Sequence, residues 1–255
     1  MPTTGATDPF GTGPFQALLH ALHLRSGESA AIGRRALMAV LVAWVPLVAL
    51  AQLQGLAKGT GHVTVLMDFA AYARFLVAVP LLVLAEGQTR TWLQRVLGHF
   101  TDARLIPVSE DASFTNLLAS TRRLLSSPIA LLVIVALAFA LTLASGAAWR
   151  AQGTELWTVL ERDGQQVVSY AGWWRLLVSQ PLFLSLLLTW LWRLLLWARC
   201  VWRIARMDVR IIPSHPDHAG GLGFLGQSLR GFPILAFAFG SAVAGTLANL
   251  VIHEG

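Results

Sequence analysis

The chain has 255 residues, of which 55% are hydrophobic and only 13% are charged, whereas soluble domains carry about a quarter charged residues. So few polar residues cannot cover a globule in water, and the composition therefore excludes an ordinary soluble protein and favours a lipid environment. The formal charge of +6 and the sequence pI of about 10.9 do not indicate a nucleic-acid partner, because 18 of the 19 basic residues are arginines and most flank apolar runs.

Five apolar runs, taken in chain order, predict an all-α, polytopic transmembrane helical bundle. A membrane-spanning helix needs about 20 apolar residues to cross about 30 Å of hydrocarbon. Residues 1–35 are predicted to form an N-terminal segment in the cytoplasm, and residues 36–252 the transmembrane domain. The predicted spans lie near 36–56, 69–86, 128–148, 173–207 and 231–252.

The first span has an alternative interpretation as a cleaved signal peptide. Ala49-Leu50-Ala51 resembles a small-x-small cleavage site, and Arg34 and Arg35 would supply the positive region before it. However, 35 residues precede the apolar run, which is more than a typical signal sequence has. We therefore expect an uncleaved anchor helix.

The positions of the basic residues predict the orientation, because they concentrate on the cytoplasmic side of membrane proteins. One side of the predicted bundle holds 14 arginines, whereas the opposite connections hold Lys58, Arg150 and Arg162. The fourteen are Arg25, Arg34, Arg35, Arg90, Arg95, Arg104, Arg122, Arg123, Arg193, Arg199, Arg203, Arg206, Arg210 and Arg230. We expect a multi-pass protein of the bacterial inner membrane with its N-terminus in the cytoplasm.

The connection between the second and third spans is predicted to form a cytoplasmic helical hairpin on or near the membrane. Ser109, followed by Glu110 and Asp111, is typical of a helix N-cap with acidic residues in the first turn. Apolar residues recur at helical spacing on both sides of this cap. They are Leu93, Val96, Leu97, Phe100, Phe114, Leu117, Leu118, Leu124 and Leu125.

The connection between the third and fourth spans has the pattern of a β-hairpin. Asp163-Gly164 separates two runs of β-prone residues, 156–161 and 166–170. Asp-Gly at such a position is the signature of a type I′ turn. The sequence thus predicts a small external β-hairpin in an otherwise helical protein.

The densest group of unusual residues lies in the loop from Pro213 to Gly226. Its prolines stop the preceding helix, and its glycines allow backbone conformations with positive φ. The candidate functional residues in it are His215, Asp217, His218, Gly220, Gly221 and Gly223. One interpretation is a helix-capping turn, in which Asp217 caps the next helix and the glycines allow close packing.

A second interpretation of the loop is a metal site, since imidazole and carboxylate groups suit zinc or iron. His99 and Asp102, on the same predicted side of the membrane, would then join His215, Asp217 and His218. The spacing of these five residues is not that of any characteristic metal motif. The capping turn is therefore favoured, and no metal or other cofactor is predicted.

Arg74 is a charged residue inside the second predicted span. Charges within a membrane are costly and point to function by default. Here the long side chain could instead reach the nearby headgroups, with its charge held at the surface. Asp68 lies six residues earlier, at a spacing that does not favour a salt bridge along the helix.

Two sets of residues predict partners of the membrane part. Arg199, Arg203 and Arg206 form a basic stripe at helical spacing, which is typical of contact with anionic lipid headgroups. Small residues four apart in the fifth span favour close packing on another helix, within the chain or in a homo-oligomer. These pairs are Gly240 with Ala244 and Ser241 with Gly245.

The loop reads H-P-D-H-A-G-G-L-G-F-L from His215 to Leu225, after the Trp/Arg/Leu-rich stretch 190–202 and before the ending His253-Glu254-Gly255. These features resemble an uncharacterised family of multi-pass inner-membrane proteins of Gram-negative bacteria with an H-P-D-x-A-G-G-L-G-F-L loop. The resemblance extends from Arg34 onward and implies a location, but it supplies no catalytic residue. Family members continue into at least one more span, so we expect the chain to be C-terminally incomplete.

Two hypotheses about function follow. The favoured one is a non-enzymatic, transport-related or scaffold protein whose Gly-rich loop is a packing or partner site, because no catalytic constellation is present. The alternative is a membrane-embedded enzyme or metal-dependent protein that uses His215, Asp217 and His218. A channel or transporter proper is disfavoured, because no span shows the several inward-facing polar groups of a solute path.

Overall fold

The computed structural model describes residues 28–56, 64–151, 157–162, 165–211 and 215–253. All long helices within these ranges except α3 contain a stretch long and apolar enough to cross a membrane. The predicted all-α fold with five apolar helices of membrane-spanning length is therefore confirmed. The helices are α1 (Glu28–Leu53), α2 (Phe69–Asp102), α3 (Asp111–Leu125), α4 (Pro128–Ala151), α5 (Tyr170–Ile204) and α6 (Pro233–His253).

The described residues divide into two compact units. The basic unit comprises Ala85–Leu132 and Thr189–Pro233, and the bundle unit comprises Glu28–Leu84, Val133–Leu188 and Ile234–Gly255. The two segments of the basic unit contain 11 arginines against 6 aspartates and glutamates. The basic unit therefore carries five of the six net positive charges of the chain.

The basic unit has a hydrophobic core of its own. It is formed by the apolar faces of α3, of the second half of α2 and of the last turns of α5. Near its centre, the ring of Phe100 lies 6.3 Å from that of Phe114 and 4.9 Å from that of Phe224, between centroids. The predicted helical hairpin is present, and its two apolar stripes meet in this core.

The start of α3 differs from the prediction. Ser109 is not an N-cap but lies within a 3₁₀ turn, Val108–Glu110, and α3 begins at Asp111. Pro107, in an extended conformation, precedes this turn. The chain therefore enters helical conformation one residue before Ser109, and a 3₁₀ turn leads into the α-helix, as is common at helix N-termini.

Within the bundle unit, α2 and α5 begin in the same way. Asp68 precedes α2, and its carboxylate accepts the backbone N–H of Ala71. Ser169 precedes α5, and its hydroxyl accepts the backbone N–H of Gly172. Both helices thus start from a side-chain cap that satisfies one of the free N–H groups of the first turn.

Both helices then pass through π-helical turns just before a proline, Pro80 in α2 and Pro181 in α5. Proline has no N–H, and its ring collides with the carbonyl four residues earlier. The residue before each proline instead donates its N–H to the carbonyl five residues earlier, which belongs to Arg74 in α2 and to Arg175 in α5. The π-helical turns are Tyr72–Ala78 and Arg175–Ser179.

The predicted β-hairpin is confirmed by two antiparallel strands, β1 (Val159–Arg162) and β2 (Gln165–Val168). Val159 pairs with Val168, and Arg162 pairs with Gln165. The turn residues Asp163 and Gly164 lie outside the described residues. Strand β2 ends earlier than predicted, because the next residue is the N-cap of α5.

Candidate functional site

The Gly-rich loop folds around the carboxylate of Asp217. Its Oδ1 accepts the N–H groups of Ala219, at 2.9 Å, and of Gly221, at 3.0 Å, and its Oδ2 accepts the N–H of Gly223, at 2.8 Å. Gly223 is the first residue of a 3₁₀ helix, Gly223–Gly231. The carboxylate therefore satisfies a free N–H at a helix start, which is the geometry of a capping turn.

Glycine is favoured in this turn for two different reasons, and Gly220, with a φ of +65°, shares the first of them with Gly221. Gly221 has a φ of +90°, in the region that side chains with a Cβ rarely adopt. At Gly223, an added Cβ would lie 3.0 Å from Oδ2 of Asp217, so glycine allows the carboxylate to approach the backbone closely. His218 adopts a positive φ of 53° without being glycine.

His215 is the side-chain partner of Asp217. Its Nδ1 lies 2.8 Å from Oδ1 of the carboxylate. Desolvation by itself raises the pKa of Asp217, but the backbone N–H groups that it accepts and the side chain of His215 outweigh it and hold this pKa well below its usual range. The carboxylate is therefore charged at neutral pH and is stabilised by the turn around it.

The structure brings only part of the proposed metal site together. His215 and Asp217 are in contact, and the ring of His99 packs against Phe224 of the same loop, with 4.3 Å between centroids. In the described ranges, no group of three or more histidines, cysteines, aspartates or glutamates could hold a metal ion. The geometry of the loop is thus that of a turn built around one carboxylate.

A second polar cluster lies in the bundle unit, where α2 begins. Asp68 is buried, with 4% of its surface exposed. Its Oδ1 accepts the N–H of Ala71, at 2.9 Å, and Nδ2 of Asn249, at 2.7 Å. Its Oδ2 accepts Nε1 of Trp157, at 3.1 Å. One carboxylate thus joins the start of α2 to α6 and to the segment before β1.

Arg74 belongs to the same cluster. Its Nη2 donates to the hydroxyl of Thr246, at 3.0 Å. Thr246 and Asn249 are three residues apart in α6, so they lie on one face of that helix. Arg74 therefore has a partner within the protein, in addition to any contact with headgroups.

Trp157 connects the caps of α2 and α5. Its indole N–H binds Asp68, and its carbonyl accepts the hydroxyl of Ser169, at 3.0 Å. The guanidinium carbon of Arg175 lies 5.6 Å from the centre of the Trp157 ring, within the range of a cation–π contact. Arg175, in the π-helical turn of α5, is thus part of the cluster.

Sequence reasoning missed most of this cluster. The polar side chains of the cluster come from three helices, one or two from each: Arg74 from α2, Arg175 from α5, and Thr246 and Asn249 from α6. A usable signal was present in α6, where Thr246 and Asn249 are polar residues on one face of an apolar helix. Nothing local marks Trp157 as the residue that bridges the two helix caps.

The basic unit contains a second contact that the sequence did not reveal. Nη2 of Arg193 lies 2.6 Å from Oε1 of Glu86, and both side chains are largely buried, at 14% and 16% exposed. The guanidinium group also lies 5.1 Å from the ring centre of Trp190. This ion pair ties the C-terminal half of α2 to that of α5.

The predicted partner residues are placed differently from one another. Arg203 and Arg206 are exposed, whereas Arg199 is half-buried and its Nη1 is buried without a hydrogen-bond partner among the described atoms. Gly245 packs on α2, where an added Cβ would clash with Ala73. By contrast, Gly240 has nothing within 4 Å of an added Cβ. Of the other two small residues of these pairs in α6, Ser241 is half-buried and Ala244 is exposed. The small residues thus have different surroundings, as the three arginines do.

Comparison of this chain with protein-family models, with curated proteins and with solved structures gives no match. The resemblance to an inner-membrane family therefore stays a prediction. The function has to be inferred from the two polar clusters, around Asp217 and around Asp68, and from the charge of the basic unit.

Proposed function

We propose that the chain is a non-enzymatic, multi-pass protein of the bacterial inner membrane, with a transport-related or scaffold role and its N-terminus in the cytoplasm. Five alternating crossings put the connections after α2 and after α5 on the side of the N-terminus. The basic unit consists of these connections and the adjoining helix ends, and its excess of arginines supports a cytoplasmic position. The family resemblance, also a proposal, agrees with this location.

The observation that carries the non-enzymatic proposal is the hydrogen bonding of Asp217. Both of its oxygens accept backbone N–H groups, so the carboxylate holds the loop in shape and is not free to act on a substrate. His218 is exposed beside this turn, and Leu229 in the following 3₁₀ helix is 72% exposed. We propose that the partner site includes His218 in the loop and Leu229 in the 3₁₀ helix that follows it.

A photo-crosslinking amino acid placed at His218 or Leu229 tests this partner site in cells. We expect a defined crosslinked product from both positions. Val108, which is 90% exposed in the same unit, is the matched control and should give none. Absence of a product at both test positions, or an identical product at Val108, would contradict a partner site at this loop.

Cysteine labelling tests the orientation. The native Cys200 is buried, so it is replaced by alanine to give a background without thiols. A cysteine at Gln165, in β2, should react with an impermeant reagent from the periplasm, whereas one at Ala112, in α3, should not. Labelling of Ala112 from outside would show that the orientation is inverted.

Two proposals about partners accompany this function. The exposed arginines Arg203 and Arg206 would contact anionic lipid headgroups, and Gly240 with Ala244 would pack on a second copy of the chain. Binding to anionic but not zwitterionic vesicles, weakened by Arg203→Gln and Arg206→Gln, is the expected result for the first. Loss of a crosslinked dimer in Gly240→Leu is the expected result for the second.

The second candidate function is a membrane-embedded enzyme or metal-dependent protein, and it is favoured by the contact between His215 and Asp217. An imidazole held by a carboxylate is a common arrangement at metal sites and in acid–base catalysis. Metal analysis of the detergent-purified protein separates the two candidates. Stoichiometric zinc or iron that is lost in His215→Ala would overturn the non-enzymatic proposal.

A further inference from the structure

The starts of α2 and α5 share a sequence pattern and a backbone geometry. Aligned without gaps, residues 68–82 and 169–183 are identical at six of fifteen positions. The identical pairs are Ala70/Ala171, Arg74/Arg175, Leu76/Leu177, Val77/Val178, Pro80/Pro181 and Leu81/Leu182. Both copies have a capping side chain, an arginine six residues later and a proline six residues after that. The structural match extends to the π-helical turns. In both helices, the residue before the proline donates its N–H to the carbonyl of the arginine.

The copies differ at the cap, which is Asp68 in α2 and the uncharged Ser169 in α5. The single carboxylate lies in one cluster with both arginines: Trp157 joins it to Arg175, and Asn249, three residues after Thr246 in α6, joins it to the helix face that binds Arg74. Within the part of the chain that the structure describes, however, its oxygens accept only uncharged donors, from the backbone and from two side chains. Among the described residues, this cluster therefore holds two positive charges and one negative charge.

Both arginines keep hydrogen-bond donors available. A guanidinium group has five N–H donors, and Arg74 gives one of them to Thr246. Arg175 contacts the face of Trp157, which uses the ring rather than the N–H groups. Of the described atoms, no nitrogen of Arg74 or Arg175 is buried without a hydrogen-bond partner, so the unused donors reach accessible space.

We propose that Arg74 and Arg175 together bind a phosphate group at this end of the bundle unit. Guanidinium groups match the oxygens of phosphate in pairs of parallel N–H bonds. A bound anion would balance the excess positive charge in a place where unpaired charges are costly. Asp68 acts as a positioning residue. It binds Trp157, whose ring contacts Arg175, and it binds Asn249, which lies about one helical turn from Thr246, the partner of Arg74.

The phosphate group could belong to an anionic phospholipid or to a soluble molecule, and the experiment distinguishes the two. Thermal unfolding of the full chain in detergent is followed at increasing inorganic phosphate, with constant ionic strength. In parallel, native mass spectrometry counts the phosphatidylglycerol or phosphatidylcholine that the protein retains. Saturable stabilisation by phosphate identifies a soluble ligand, and selective retention of phosphatidylglycerol identifies a lipid.

Arg74→Gln and Arg175→Gln should each weaken the effect at least about tenfold, because each removes charge-assisted hydrogen bonds. Arg34→Gln is the matched control, since Arg34 is an exposed arginine of α1 in the same unit. The proposal would be overturned if the protein bound neither phosphate nor phosphatidylglycerol. It would also be overturned if Arg34→Gln weakened binding as much as Arg74→Gln and Arg175→Gln do. If the glutamine variants do not fold, Arg175→Lys keeps the charge and loses the planar fork, and unchanged binding in this variant would overturn the proposal. None of these measurements depends on the proposed orientation or on the loop at Asp217.

Discussion

Replacing Asp68 with asparagine tests whether one buried carboxylate holds the polar cluster of the bundle unit together. The substitution keeps the size of the side chain but leaves one acceptor oxygen where there were two. If that oxygen takes the place of Oδ1, the bonds from Ala71 and Asn249 persist. The amide NH₂ then faces the indole N–H of Trp157, which is also a donor.

The expected magnitude follows from these bonds. A buried donor without a partner costs about 1–3 kcal/mol, and the two remaining bonds lose the strength that the negative charge gave them. We expect Asp68→Asn to lower the free energy of unfolding by about 2–3 kcal/mol. Asp68→Ala should lower it by about 4–6 kcal/mol, because the N-cap and both side-chain bonds are lost together.

Thermal unfolding in detergent, followed by tryptophan fluorescence, measures the effect. For a chain of this size, 1 kcal/mol corresponds to about 2–4 °C, so Asp68→Asn should lower Tm by about 4–12 °C. A double-mutant cycle with Trp157→Phe isolates the indole contact. In the Trp157→Phe background the donor is absent, so Asp68→Asn should cost at least about 1 kcal/mol less. Equal effects in the two backgrounds would refute the assignment of this hydrogen bond.

Three other predictions concern the basic unit. Gly221→Val should lower thermal stability by about 1–3 kcal/mol, because valine is strained at a positive φ, whereas His215→Ala should cost about 1 kcal/mol or less. Since folding lowers the pKa of Asp217, its contribution to stability is present above the ordinary carboxyl pKa of about 4 and is lost as the pH falls below it. Tm measured between pH 7 and pH 3 should therefore fall less steeply in Asp217→Asn than in the natural sequence. Glu86→Gln should cost about 3 kcal/mol or more by leaving Arg193 unpaired, and the charge-swapped double variant should recover much of that loss on thermal unfolding. If the swapped variant recovers no stability, the fit of the two side chains, and not the attraction between their charges, determines stability at this position.

The five apolar helices and the β-hairpin could be predicted because each depends on local sequence. An apolar run of about 20 residues is itself the condition for crossing the hydrocarbon layer. Asp163-Gly164 between β-prone runs specifies a hairpin without reference to the rest of the chain. The mistaken N-cap at Ser109 shows the limit of such signals, since a proline two residues earlier had already started the turn.

The Asp68 cluster could not be predicted in this way, because its bonds join distant parts of the chain. Trp157 lies 89 residues from Asp68, and Asn249 lies 181 residues from it. The spacing of polar residues shows which face of a helix they occupy, but not which helix packs against that face. Arg74 was interpreted as reaching the headgroups because that interpretation needs local information only, whereas its partner Thr246 is 172 residues away.

The similarity between the starts of α2 and α5 places two positive charges at equivalent positions. Identical residues at equivalent positions carry the same charge, so they cannot form an ion pair with each other. Arg74 and Arg175 are such residues, and both carry a positive charge in an apolar helix. Asp68 supplies one negative charge for the two, and a bound phosphate group would supply the other.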